Sequence, residues 1–171
     1  GSDAAFTWEQ FQSTTNKDLA DVLGNFVNRI IKFTESKFDG VVPAGGEPGD
    51  VEARYEAAIR QGIAEATEAF EAMEFRKGCQ AVRAVWVLGN EYLQEAAPWT
   101  AFKTDVDRAA VGVRTGLNMV ALFARLAAPV IPFTAEKIAA SVGSSDLSWP
   151  LPDEDFLSAV PAGRVIAHQG V

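Results

Sequence analysis

Between Asn16 and Gly40 the apolar residues Leu19, Leu23, Phe26, Ile30 and Phe33 recur at intervals of three and four, the spacing of one buried stripe on a long helix. Asp18, Asp21, Asn25, Arg29, Lys32 and Ser36 keep the same rhythm on a neighbouring face. Core formation accounts for the first stripe and leaves the polar row unexplained.

The same pattern predicts the other elements. Thr7 and Gln10 have capping-box spacing and start a short helix with Trp8 and Phe11, which ends near Ser13 to Asn16, where Thr15 or Asn16 caps the long helix. Gly40 and Pro43 close that helix, and the Gly- and Pro-rich stretch Val41 to Gly49 is a loop. Asp50 caps a second helix reaching about Met73, with Val51, Tyr55, Ile59, Ala66 and Phe70 inward and Glu52, Glu56, Glu65 and Glu68 outward as a solvated acidic face. A third helix, Glu74 to Ala96, is apolar on most sides, which predicts a place at the centre of the bundle, and Pro98 stops it. A fourth runs from Thr104 to Ala128 and is ended by Pro129 and Pro132. Thr134 to Val142 makes a short helix, Asp153 to Val160 a further turn or two, and Arg164 to His168 is extended. Four long helices joined by short loops predict an all-α fold, an antiparallel helical bundle with a short irregular C-terminal tail, as one domain over 1–171.

Composition narrows the function. The length of 171 residues supports a real core without staples. Cys79 is the only cysteine and sits in an apolar helical register, so it reads as structural and no disulfide is possible within the chain. No run of 18 apolar residues and no basic-apolar leader is present, which predicts a cytoplasmic protein without a membrane span. A net charge of −8 opposes non-specific binding to DNA, RNA or anionic lipid, so any nucleic-acid contact must be local.

Catalytic chemistry is hard to assemble from these residues. His168 is the only histidine, with no nucleophile motif around it, and no glycine-rich phosphate loop leads into a helix. The second-helix carboxylates lack histidine partners, so no catalytic set and no metal site are predicted. Two features stay ambiguous. Trp99, after Pro98 at a helix-ending corner, is either a lid on the core or a free stacking face; Trp86 and Trp8 are explained by the core and Trp149 as a clamp on the tail. Asn25 and Arg29 are either a surface pair with acids such as Asp21 or a donor–acceptor set able to read a base edge. An exposed Trp beside such a row would hold one unstacked base by its face and its edge.

Taken together, Asn16-Lys17-Asp18-Leu19, Gly24-Asn25-Phe26-Val27-Asn28-Arg29 and Lys37-Phe38-Asp39-Gly40 resemble the first helix of the anticodon-binding domain of bacterial methionyl-tRNA synthetases. The resemblance continues in order through Phe75-Arg76-Lys77, Gly89-Asn90-Glu91-Tyr92, Ala97-Pro98-Trp99, Phe102-Lys103, Leu126-Ala127-Ala128-Pro129 and Ile131-Pro132. It implies a class I helical bundle that reads the CAU anticodon. Asn25 and Arg29 then correspond to residues on base edges, Trp99 to a residue stacked on the cytosine, and Lys32, Pro98 and Lys103 to additional RNA contacts, while Asn90 is structural. Asp21 stands where relatives carry an amide, so no base contact is expected from it. The resemblance implies no cofactor in this domain; ATP, Mg and an optional Zn belong to a Rossmann-type catalytic half whose His-Ile-Gly-His and Lys-Met-Ser-Lys-Ser signatures are not in the sequence. The implied partners are methionine tRNA, through its anticodon stem-loop, and that catalytic domain. The other readings are a synthetase for another amino acid and a helical module that binds protein.

Overall fold

The computed structural model describes residues 2–166, with side chains from 17 onward. His168 and the side chains of Thr7, Trp8 and Phe11 lie outside the described set. The chain is helical: α1 (Ser2–Phe38), α2 (Asp50–Glu71), α3 (Phe75–Ala96), a single turn α4 (Pro98–Ala101), α5 (Val106–Ala127) and α6 (Pro132–Ser141).

The expected break at Ser13 to Asn16 does not occur; α1 passes through it without interruption. Those residues hold cap-type side chains but neither Gly nor Pro, and in a helix interior each costs at most about 0.7 kcal/mol. The helix stops where Asp39 and Gly40 both adopt left-handed backbone, at φ 55° and 71°, and the Gly40 N–H closes onto the Thr34 carbonyl at 3.1 Å.

The centre of the bundle is also displaced from the expectation. In α5, 17 of 22 residues are buried, and α1, α3, α4 and α6 all pack on it, whereas α3 keeps an exposed face. The apolar length of α5 would suffice to cross a membrane, but 89% of that stretch is covered by the bundle. The Asp105 carboxylate caps its start by accepting from the Arg108 N–H at 3.1 Å. Helices α2 and α3 form the most extensively packed pair, joined by a tight turn in which Met73 is left-handed at φ 60°.

Glu52 is the exception on the acidic face. Glu65 and Glu68 are exposed and Glu56 is half-buried, but Glu52 is only 6% exposed. Its carboxylate accepts from the Tyr92 hydroxyl at 2.6 Å, from Arg108 Nη1 at 2.9 Å and Nη2 at 2.5 Å, and from the Gly49 N–H at 2.7 Å. Burial pushes the carboxyl pKa up, yet the Arg108, Tyr92 and Gly49 donors together outweigh it and hold the value at about 2. One buried carboxylate thus ties α2 to α3 through Tyr92 and to α5 through Arg108.

The tail has turns but no helix between 151 and 164, and it is held by side chains of the core helices. Asn118 behaves like a piece of strand, donating to the Val160 carbonyl at 3.0 Å and accepting its N–H at 2.8 Å. Buried Arg125 grips both carboxylate oxygens of Glu154 at 2.7 and 2.9 Å. The Trp149 indole N–H donates to Thr67 at 2.8 Å while its ring stands edge-on to Phe70, so this Trp does clamp the tail. Val41 and Val165 form an isolated antiparallel bridge, which makes the start of the last predicted segment extended.

Close approach between α1, α3 and α5 occurs at Gly89. A methyl group there would lie 2.5 Å from Phe123 and 3.0 Å from Phe26, both fully buried rings. At Gly24 nothing lies within 4 Å of such a methyl. Two expectations follow from urea unfolding. Gly89→Ala lowers stability by about 1–3 kcal/mol through overpacking, while Gly24→Ala raises it by about 0.5–1 kcal/mol through helix propensity. For Glu52 the folded pKa lies below the unfolded value of 4.5, so its stabilisation is present above pH 4.5 and is lost as pH falls towards 2. Glu52→Gln removes up to about 3 kcal/mol at neutral pH and flattens that acid limb; an unchanged limb would contradict the assignment.

Candidate nucleic-acid interface

The polar row of α1 lies along a shallow open groove against α3. Asn25, Arg29 and Lys32 are exposed along it, Asn28 and Val22 line its floor, and Val87 and Asn90 form the α3 wall. The volume of this groove is about 700 Å³. It is positioned by the apolar stripe on the other side of α1, since Leu19, Leu23, Phe26 and Ile30 are all fully buried. A helix anchored on one face has its opposite face fixed as well.

Arg29 is the centre of the arrangement. Its Nη1 donates to the Asn90 Oδ1 at 3.2 Å, and its guanidinium carbon lies 5.0 Å from the centre of the Trp99 ring. Asn90 is in turn oriented by donation from its amide to the Trp86 carbonyl at 3.4 Å. Among the described residues Arg29 forms no ion pair with Asp21, which is exposed on α1 outside the groove. The surface-pair reading of Arg29 is therefore not what the structure contains.

Trp99 reaches this corner through a sharp turn. Ala97 ends α3 in left-handed backbone, at φ 42°, and its N–H bonds the Leu93 carbonyl at 2.9 Å. Pro98 then occupies the first position of α4, where its fixed φ and missing N–H suit a helix start. The sequence rule that Pro98 stops one helix holds, but the same residue begins the next. Phe33 meets the half-buried Trp99 at 81° with centres 6.3 Å apart, and Phe102 packs on Phe33 and Phe38 at near right angles. Lys37 lies 5.7 Å from the Phe102 ring. Trp99 is thus both seated on the core and part of the surface, so the lid and stacking readings are not exclusive.

The predicted residues fall into different places. Asn25, Arg29 and Lys32 share the groove, and Trp99 joins them through Arg29. Lys103 is exposed in the turn after α4, away from the groove lining. Pro98 is buried against Gly112, so it has no open face for RNA and instead fixes the corner that carries Trp99. Asn28, Val87 and the Asn90 side chain were not among the predicted contacts. The spacing of Asn28 one turn before Lys32 offered that signal; the pairing of Asn90 with Arg29, 61 residues apart, offered none. Among the described residues no three His, Cys, Asp or Glu side chains gather as a metal would need. The buried Cys79 thiol has its pKa pushed up by desolvation, away from reactivity.

Known proteins resemble this chain in sequence and in fold. The family model for the anticodon binding domain of methionyl tRNA ligase matches residues 42–171, and the model for class I tRNA synthetases (M) matches residues 1–31. The methionine–tRNA ligase of Caulobacter vibrioides is 61% identical over 168 residues, covering 97% of this chain and 30% of that protein. The Maricaulis maris enzyme is 54% identical over 175 residues, covering all of this chain and 31% of its relative. The free-state crystal structure of Mycobacterium tuberculosis methionyl-tRNA synthetase superposes with a TM-score of 0.76 at 23% identity, over 93% of this chain and 32% of that one. The chain spans about a third or less of these relatives. The anticodon-binding model spans α2 to the tail and so includes Val87, Asn90 and the Trp99 corner, while Asn25 and Arg29 fall in the 1–31 match, and the chain belongs to the methionyl-tRNA ligase anticodon-binding family.

Proposed function

We propose that this chain reads the CAU anticodon of methionine tRNA, with Asn25 and Arg29 on base edges and the Trp99 ring stacked on the cytosine. The observation that carries this reading is the meeting of Arg29 and Trp99 at 5.0 Å beside an open polar groove, although 70 positions of sequence separate them. A planar donor fork, an amide and an indole face supply what an unstacked base presents, its edge and its face. Lys32 in the groove adds local positive charge for backbone phosphates, and Lys103, exposed in the turn after α4, extends it beyond the groove, against the net −8 of the chain. Residues 1–171 act as one anticodon-binding unit. In the whole ligase, recognition serves the ATP-dependent joining of methionine to its tRNA in the cytoplasm. The catalytic half uses ATP, Mg and, where its cysteine-rich insertion is present, Zn.

The test is binding of methionine tRNA and of an anticodon-swapped version to this chain at low salt. Trp99→Ala and Arg29→Gln are each expected to reduce discrimination by about 1–3 kcal/mol. Affinity should fall as salt rises. Equal binding of both tRNAs by the unmutated chain overturns the proposal.

A further inference from the structure

If Trp99 stacks on a base, the ring must be open to it, and in this structure it is not fully open. The Arg29 guanidinium lies over the indole, and the hydrogen bond to Asn90 holds it there. Among the described residues both partners of Arg29 are neutral, so the guanidinium is retained by a cation–π contact and one hydrogen bond rather than by a carboxylate. An exposed contact of this kind changes an equilibrium by roughly two- to fivefold. That is enough to bias a side chain and weak enough for a ligand to reverse. The ring itself stays put, because Phe33 and the α4 corner seat it.

We propose that Asn90 is a positioning residue that latches Arg29 over Trp99, so that a base stacks only by displacing the guanidinium. This rests on the anticodon reading above. A displaced Arg29 loses its π contact and its Asn90 bond. A base whose edge places two adjacent acceptors before the guanidinium fork, as cytosine does with O2 and N3, restores these losses; uracil, whose N3–H donor stands between O2 and O4, does not. The latch therefore makes edge recognition a condition of stacking. It penalises wrong bases before any clash is needed, and the discrimination arises partly in the unliganded chain.

Two measurements on this chain test it. In the free chain, the Arg29 Hδ resonances are shifted by the indole ring current; the shift vanishes in Trp99→Leu and shrinks in Asn90→Ala. Next, each variant is titrated with a heptaribonucleotide carrying CAU and with one carrying UAC. Asn90→Ala and Arg29→Ala should bind the UAC oligonucleotide two- to fivefold more tightly than the unmutated chain does, while Arg29→Ala weakens binding of the CAU oligonucleotide. If Arg29 resonances do not respond to Trp99→Leu, or UAC binding is unchanged or weakened in both variants while the unmutated chain still prefers CAU, the latch is wrong and the anticodon reading stands. If the unmutated chain shows no preference for CAU, the anticodon reading falls and the latch falls with it.

Discussion

The missing side chain at Gly89 is the constraint on which the candidate site depends. It lets α3 settle against Phe26 of α1 and Phe123 of α5, whose rings stand 5.0 Å apart beneath it. Asn90 is the next residue, so the separation that brings the backbones together also sets the reach from Asn90 to Arg29. Seven residues further on, Ala97 turns the chain in left-handed backbone and delivers Trp99 to the same corner. A bulkier residue at one point of helix contact would loosen a site to which it contributes no atom.

Electrostatics separates Arg29 from the arginines that hold ion pairs, and its partners separate it from those that bind loops. Arg108 and Arg125 are held by buried or half-buried carboxylates, Arg54 and Arg83 form exposed ion pairs, and Arg60, Arg114 and Arg164 donate to backbone carbonyls of loop and tail. Those contacts bind the fold together. Arg29 instead touches an amide and a ring, so among the described residues no acid pairs with its charge. In a chain of net charge −8, a cation left in this condition is a local positive point in a repulsive field.

How much of this the sequence disclosed depended on the range of the forces involved. Periodicity located the four long helices, because burial of a stripe is a local pattern, and Pro and Gly marked most of their ends. It does not reach Ser13 to Asn16, where cap-type residues without a breaker do not stop a helix held in place further along, or α4, because a proline after a helix marks an end without showing that it also begins a turn. Glu52 lies on the buried stripe with Tyr55, Ile59 and Ile63 and not on the solvated face that its charge predicts; its burial needs Arg108, 56 residues away, which no local rule supplies. The same limit hid the centrality of α5 and the bond from Arg29 to Asn90. Asn25, Arg29 and Trp99 were singled out by their residue types and common occurrence, and the structure supplies the proximity of Arg29 to Trp99 and of Asn25 to Arg29.

The unbroken course of α1 has a mechanical meaning. Its 37 residues make a rod about 55 Å long, with Asn25 and Arg29 in its second half and the join between the two matched family regions just beyond them. Because each residue turns a helix by about 100° and advances it by about 1.5 Å, inserting or deleting one residue ahead of Leu19 would rotate everything earlier in the helix about the groove while leaving every groove contact intact. Substitutions along that stretch change chemistry at a point. A change of length there would instead change the phase between the groove and the start of the helix, and four inserted residues, which come close to a full turn, would restore the direction while adding about 6 Å of reach.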